Sequence, residues 1–407
     1  MDKEKLLPSL RFSGYSDTWE RNKLEHYLNV SNEKNTEGIF GKEDVLSVSG
    51  DFGIINQIKF HGRSFAGVST SNYGVVNTGD VVYTKSPLKA NPFGIIKTNK
   101  GPNGIVSTLY AVYHPKENVY PDFIQAYFEQ YARMNRYMHP LVNKGAKNDM
   151  KVSDANALKG DVVFPKVDEQ KNIVKYFMNI DQLLTLHQKE YDKFLIMKKA
   201  MLDKMFPRKG MNVPEIRFMG FTEPWERRKV GEVTEELDQY TTLKSGFPLL
   251  TSSRSGLMMQ NEYRDKTSTD NQDTLFSIVP MGACTYRHMS DDDIFHFNIN
   301  EIVENGLVSR EYPVFTASKD NNLFAIIQYL NSSPEFRAFC RKQKMGGTRT
   351  RLYYKSLCRF ELLLPTEKEQ DQIAAVLKHL DNLITLQQRK LEKLKNIKAG
   401  CLEKMFV

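Results

Sequence analysis

Apolar residues recur on alternating steps of three and four along two long stretches of the chain. In the first, Phe177, Ile180, Leu184, His187, Tyr191, Phe194, Lys198, Met201 and Met205 share a stripe. In the second, Leu377, Leu380, Ile384, Gln387, Leu391, Leu394, Lys398, Cys401 and Met405 do so. That spacing predicts two long helices, each with a coiled-coil seam. The seams are interrupted at matching places, His187 with Gln387 and Lys198 with Lys398. Polar seam residues cost stability and fix register or orientation, so the two stripes read as partners. The alternative is two unrelated surface helices, each packed on its own domain.

The likeness extends beyond the stripes. Residues 165–206 and 365–406 align at a constant shift of 200, with fifteen of the forty-two positions identical. Pro165/Pro365, Glu169/Glu369, Gln170/Gln370, Asp181/Asp381 and the closing Lys-Met-Phe are among them. Upstream, PSLRFSGYSDTWERNK (8–23) matches PEIRFMGFTEPWERRK (214–229), and these segments hold the only two tryptophans. Trp19 and Phe12 are expected to anchor onto a neighbouring element; a platform for stacking bases is the second reading. Between these ends a shift of 203 pairs Ser49 with Ser252, Gly53 with Gly256, Tyr83 with Tyr286 and Gln125 with Gln328. The chain is therefore one unit written twice: an entry segment, a divergent globular part and a long helix.

Short β-rich runs at 74–86 and 273–287 are followed by helical patterns at 123–138 and 323–343, which predicts a compact mixed α/β domain in each half. The expected fold class is α+β, with two such domains in a pseudo-twofold tandem repeat and two long helices. The expected boundaries are an entry segment 1–23, a first domain 24–160, a first helix region 161–207, a linker and repeated entry 208–229, a second domain 230–360 and a second helix region 361–407.

Charged residues are 26% and hydrophobic residues 40% of the 407, proportions of a soluble globular protein. No apolar run is long enough for a membrane span, and MDKEKLLPSL lacks the core of a signal peptide. Four cysteines without CxxC spacing argue for a reducing cytoplasm and against a zinc site. A net charge of +8 suits an anionic partner.

Catalytic motifs do not emerge. The sequence has no phosphate loop, HExxH, GxSxG or GxGxxG. Asn91-Pro92-Phe93 reads as a surface turn, and Asp291-Asp292-Asp293 as a solvated turn rather than a metal site. What remains is loop chemistry able to read DNA. Arginine and lysine donate to guanine edges, serine and threonine to bases or phosphates, and tyrosine to a phosphate. The candidates in the first half are Ser49, Tyr83, Thr84, Lys85, Lys89, Lys97, Lys144 and Lys147. Those in the second are Ser252, Ser253, Arg254, Tyr286, Arg287, His288, Arg349, Arg351 and Lys355. Each also has a plain reading as a solvated side chain.

The twofold order WER…PKVDEQKNIV…NID…KMF and WER…PTEKEQDQIA…HLD…KMF resembles the specificity subunit of Type I restriction–modification systems, over essentially the whole chain. The resemblance implies two target-recognition domains, each reading half of a split double-stranded DNA site, and antiparallel pairing of the long helices as a spacer. It implies partners as well: methyltransferase subunits, two by expectation, docked on the helices, and motor-nuclease subunits in the complete complex. The chain itself would be non-catalytic and hold no cofactor; SAM, ATP and magnesium would be bound by the partners. The lead-in to the first helix, GAKNDMKVSDANALKGDVVFP, lacks the arginines of GTRTRLYYKSLCRFELLLP, which sets Lys147 behind Arg349 as a base contact. A coiled-coil scaffold without DNA readout is the rival.

Overall fold

The computed structural model describes residues 6–87, 91–144, 150–263, 272–344 and 348–407. They divide into two compact units: Met1–Gln188 with Arg389–Val407, and Lys189–Gln388. Each unit thus takes in the closing stretch of the long helix that begins in the other.

In the first unit the entry strand Glu20–Lys23 pairs antiparallel with Asp161–Phe164, Glu20 opposite Phe164. This closes the globular part just before Pro165, where the long helix Val167–Lys204 departs. The main sheet is antiparallel, in the order Leu28–Val30, Tyr110–Pro115, Val81–Thr84, Ile96–Thr98. Val81–Thr84 is buried along its whole length, as an inner strand covered on both faces must be. The helical pattern at 123–138 folds as two helices, Pro121–Phe128 and Tyr131–Met138. Gln130 is extended between them, which turns the second helix so that Met134, Tyr137 and Met138 face the core. Trp19 is buried against Phe123 and Phe12 lies edge-on to Tyr176, so both anchor.

The second unit repeats the plan. Glu226–Lys229 pairs with Glu361–Leu364 immediately before Pro365, and Glu367–Lys404 is the second long helix. One sheet runs Thr234–Glu236, Val314–Ala317, Cys284–Thr285, Asn298–Ile299; another runs Tyr240–Thr241, Phe276–Pro280, Asn305–Ser309. Leu323–Ser332 and Pro334–Lys342 pack behind them. Trp225 is buried edge-on to Phe206.

The repeated residues do matching work. Arg11 donates twice to Glu169, at 2.7 and 2.8 Å, and Arg217 twice to Glu369, at 2.8 Å. Gln170 accepts from the Tyr120 amide and donates to the Pro165 carbonyl; Gln370 accepts from Asn322 and donates to Pro365. The Glu-Gln pair is therefore a buried clasp tying entry segment, domain and helix start together. In the first unit Lys398 donates to Asp181 and to Glu129, each at 2.7 Å, while Cys401 lies against Tyr176 and Phe406 stacks on Phe177. In the second, Lys198 pairs with Asp381 at 2.6 Å and Gln387 donates to Glu190 at 2.8 Å. Within each unit the two helical segments thus run antiparallel, and three of the polar seam residues, Lys198, Gln387 and Lys398, meet carboxylates. Every position on both stripes is buried or half-buried, as a seam requires. No described helix is long and apolar enough to cross a membrane.

Candidate nucleic-acid interface

In the second unit a hairpin, Leu250–Ser253 with Gly256–Met259, turns through Arg254 and Ser255. Gly256 lies at φ 126°, a conformation that other residues rarely adopt. Beside it the loop after Cys284–Thr285 carries Arg287 and His288, and Met289–Ser290 pairs with Thr350–Arg351. These elements line a groove of about 510 Å³ that holds Ser252, Ser253, Arg254, Arg287 and His288 together with Asp291. The structure therefore brings together five of the second-half candidates. Arg349 reaches the same place through Asp291, its Nε donating at 2.7 Å. Arg351 and Lys355 are exposed.

The groove's electrostatics come from a turn that reads in the sequence as mere solvation. Asp291 accepts from Arg349, Asp292 accepts from Arg254 at 2.6 Å and from Ser290 at 2.9 Å, and Asp293 accepts from the Thr350 hydroxyl. Partial burial pushes the Asp292 carboxyl up, but the Ser290 and Arg254 hydrogen bonds outweigh it and hold the pKa below its ordinary value. Two arginines are thus braced side by side on consecutive carboxylates, and an arginine held at one nitrogen still has donors to present. Asp293 sits at φ 62°, in the left-handed region that aspartate tolerates. Among the described residues no group of three or more histidine, cysteine or acidic side chains could hold a metal ion.

Several candidates are core residues instead. Tyr83 and Tyr286 are fully buried, donating to the Phe93 and Leu352 carbonyls. Their match across the repeat is a packing match, and burial raises both phenols. Thr84 is buried in the same inner strand as Tyr83. Lys97 is also buried, in the strand Ile96–Thr98, and burial lowers its ammonium despite nearby Glu129 and Asp181. His288 is buried with Nε2 3.2 Å from Glu311 and its ring stacked on Tyr353. Burial lowers its pKa against the pull of Glu311. Ser252 accepts from Asn298, and Ser253 donates to the Gly256 carbonyl, so both shape the hairpin. Side chains enclosed in this way do not face a ligand; the correction concerns Tyr83, Thr84, Lys97, Tyr286 and His288.

Among the described residues, the first unit does not gather its candidates. Lys85 pairs with Asp154 at 3.0 Å, and Ser49 caps its own hairpin by accepting from the Phe52 amide. Lys144 lies in the short strand Asn143–Lys144, while Lys89 and Lys147 lie outside the described residues. The bracing aspartates were missed because a run of like charges reads as solvent-facing; the arginines spaced near it were the only available signal.

Two unlike mixed domains, each closed by its own entry strand and feeding a long helix, define a class of internally repeated two-domain protein, with a braced arginine groove in one domain. Residues 259–396 match the family model described as the Type I restriction modification DNA specificity domain. Among solved structures, the S subunit of the Type I restriction–modification system from M. genitalium is 10% identical, covering 98% of this chain and 99% of that one at a TM-score of 0.55. The likeness is one of fold. The HsdS subunit from Thermoanaerobacter tengcongensis is 14% identical over 95% of this chain and 96% of that one, with a TM-score of 0.45.

Proposed function

We propose that this chain is a specificity subunit that reads an asymmetric, bipartite DNA target, one domain to each half-site, and docks methyltransferase subunits on its long helices. The observation that carries this reading is the groove holding Arg254 and Arg287, with Arg349 braced beside it through Asp291, set on a frame whose other copy presents different chemistry. Identical frames with unlike loops suit two different half-sites. Phosphate neutralisation would supply most of the affinity, and donors to base edges the specificity. Residues 24–160 and 230–360 would be the two recognition domains.

The chain would be non-catalytic and cytoplasmic. SAM, ATP and magnesium would be bound by its partners, which are methyltransferase subunits, two by expectation, and motor-nuclease subunits in a complete complex. Fluorescence anisotropy with a random duplex at low and moderate salt tests the reading. Binding that falls steeply with salt is expected, and binding at neither salt would leave a protein scaffold. Labelled SAM given to the isolated chain should yield no methylated DNA; transfer would make it an enzyme. Mapping methylated adenines in the host genome would report both half-sites and the gap.

A further inference from the structure

The hairpin that carries Arg254 has a counterpart in the first unit. Leu46–Ser49 pairs with Gly53–Asn56, turning through Gly50, Asp51 and Phe52. Where one tip offers a guanidinium, the other offers a ring. Phe52 is 64% exposed, and its ring lies 4.9 Å from that of Phe60, itself 47% exposed. Phe60 meets His61 edge-on at 4.8 Å, and His61 meets Phe65 at 5.3 Å. The Arg63 guanidinium lies 4.9 Å over the Phe65 ring. Four rings therefore run in unbroken contact on the surface, built from a hairpin tip and the short helix Gln57–His61 behind it.

Phenylalanine is ordinarily buried, and a contiguous exposed apolar patch marks an interaction surface. The cations decide its kind. Lys59 and Arg63 are interleaved with the rings and exposed, so the surface is aromatic and basic together. A polyanion whose bases present π faces satisfies both features; an apolar protein groove would have to strip water from Lys59 and Arg63. The shape agrees, since Phe52 stands at the tip of a hairpin, where a side chain projects clear of the domain.

We propose that Phe52 and Phe60 form an aromatic wedge entering one base step of the first unit's half-site and partly unstacking it, with Lys59 and Arg63 on the flanking phosphates. This deepens, and rests on, the DNA-reading function proposed above. A wedge is tolerated best at flexible pyrimidine–purine steps, so that half-site should contain TA or CA where the rings enter.

The test uses the full chain and a duplex bearing the site methylated in the host genome, with 2-aminopurine placed in turn at each adenine of the half-site. Wild-type protein should raise fluorescence at one position. Phe52→Ala/Phe60→Ala should abolish that rise and weaken binding roughly tenfold or more, with the salt dependence unchanged, and Phe52→Trp/Phe60→Tyr should restore both. A rise that persists in the alanine variant overturns the wedge. So does a variant that binds DNA like wild type but no longer co-purifies with its methyltransferase, which would mark a protein-docking patch. Wild-type protein that binds no duplex at all would sink the DNA reading itself, and the wedge with it.

Discussion

At the scale of single residues, each half is closed by one Arg–Glu clasp, Arg11 on Glu169 and Arg217 on Glu369. Arg11, Glu169 and Gln170 recur as Arg217, Glu369 and Gln370, and repetition at fixed spacing flags them without naming their contacts. Glu169 is 2% exposed, so Glu169→Gln leaves a guanidinium half-satisfied in a closed site. The expected loss is about 3–5 kcal/mol, read by denaturant unfolding; a loss under about 1 kcal/mol, the range of surface pairs, would show the clasp to be solvated. Lys97 shows the opposite failure. A lysine in a short strand reads as exposed, yet all of Ile96–Thr98 is covered, and only tertiary packing decides that. His288 and His296 both have pKa values lowered by burial. The folded second unit therefore binds fewer protons than its unfolded chain as pH falls through the ordinary histidine value near 6.5. Stability should be fully present above that value and decline below it. Thermal melts between pH 7.5 and 5.5 should show this decline flattened in His288→Gln; an unchanged slope would remove His288 from the account.

At the scale of elements, the stripes of three and four residues were enough to find both helices. They were also enough to find the polar seam places that meet Asp181 and Asp381. What periodicity could not show is the destination of the closing Lys-Met-Phe. Phe406 enters the first unit's core against Phe123, Tyr127 and Phe177, with Arg133 over its face and donating to the Leu402 carbonyl. Phe206 packs on Trp225 and Tyr329 in the second unit. Phe406→Ala should cost about 3–5 kcal/mol, with hydrogen exchange speeding up at Pro121–Phe128 and leaving the second unit's amides unaffected. Equal loss in both units would contradict the placement.

For the whole molecule, the repeat fixes what can be exchanged. Under the proposed function, replacing 230–360 with the corresponding domain of a Type I specificity subunit should change one half-site and leave the other as it was. Methylated-adenine mapping reads the outcome, and a change in both half-sites would refute independent reading. Residues 181–204, about 36 Å of helix at 1.5 Å per residue, match one turn of B-DNA, about 34–36 Å. Whole helical turns added there should lengthen the unread gap by base pairs and spare the half-sites; altered half-site bases would end the idea of a helical ruler. The two-domain plan was readable because it is written twice. The braced groove was not, because it lies where the two copies differ.

The first unit is assembled from Met1–Gln188 and Arg389–Val407, and that has a consequence during synthesis. The socket of Phe123, Tyr127 and Phe177 leaves the ribosome some two hundred residues before Phe406 does. At roughly 5–20 residues per second that is a wait of about 10–40 s with an aromatic cleft uncovered. Messages broken anywhere in the second half would yield products with the cleft permanently open, a ready mark for chaperones and proteases to recognise.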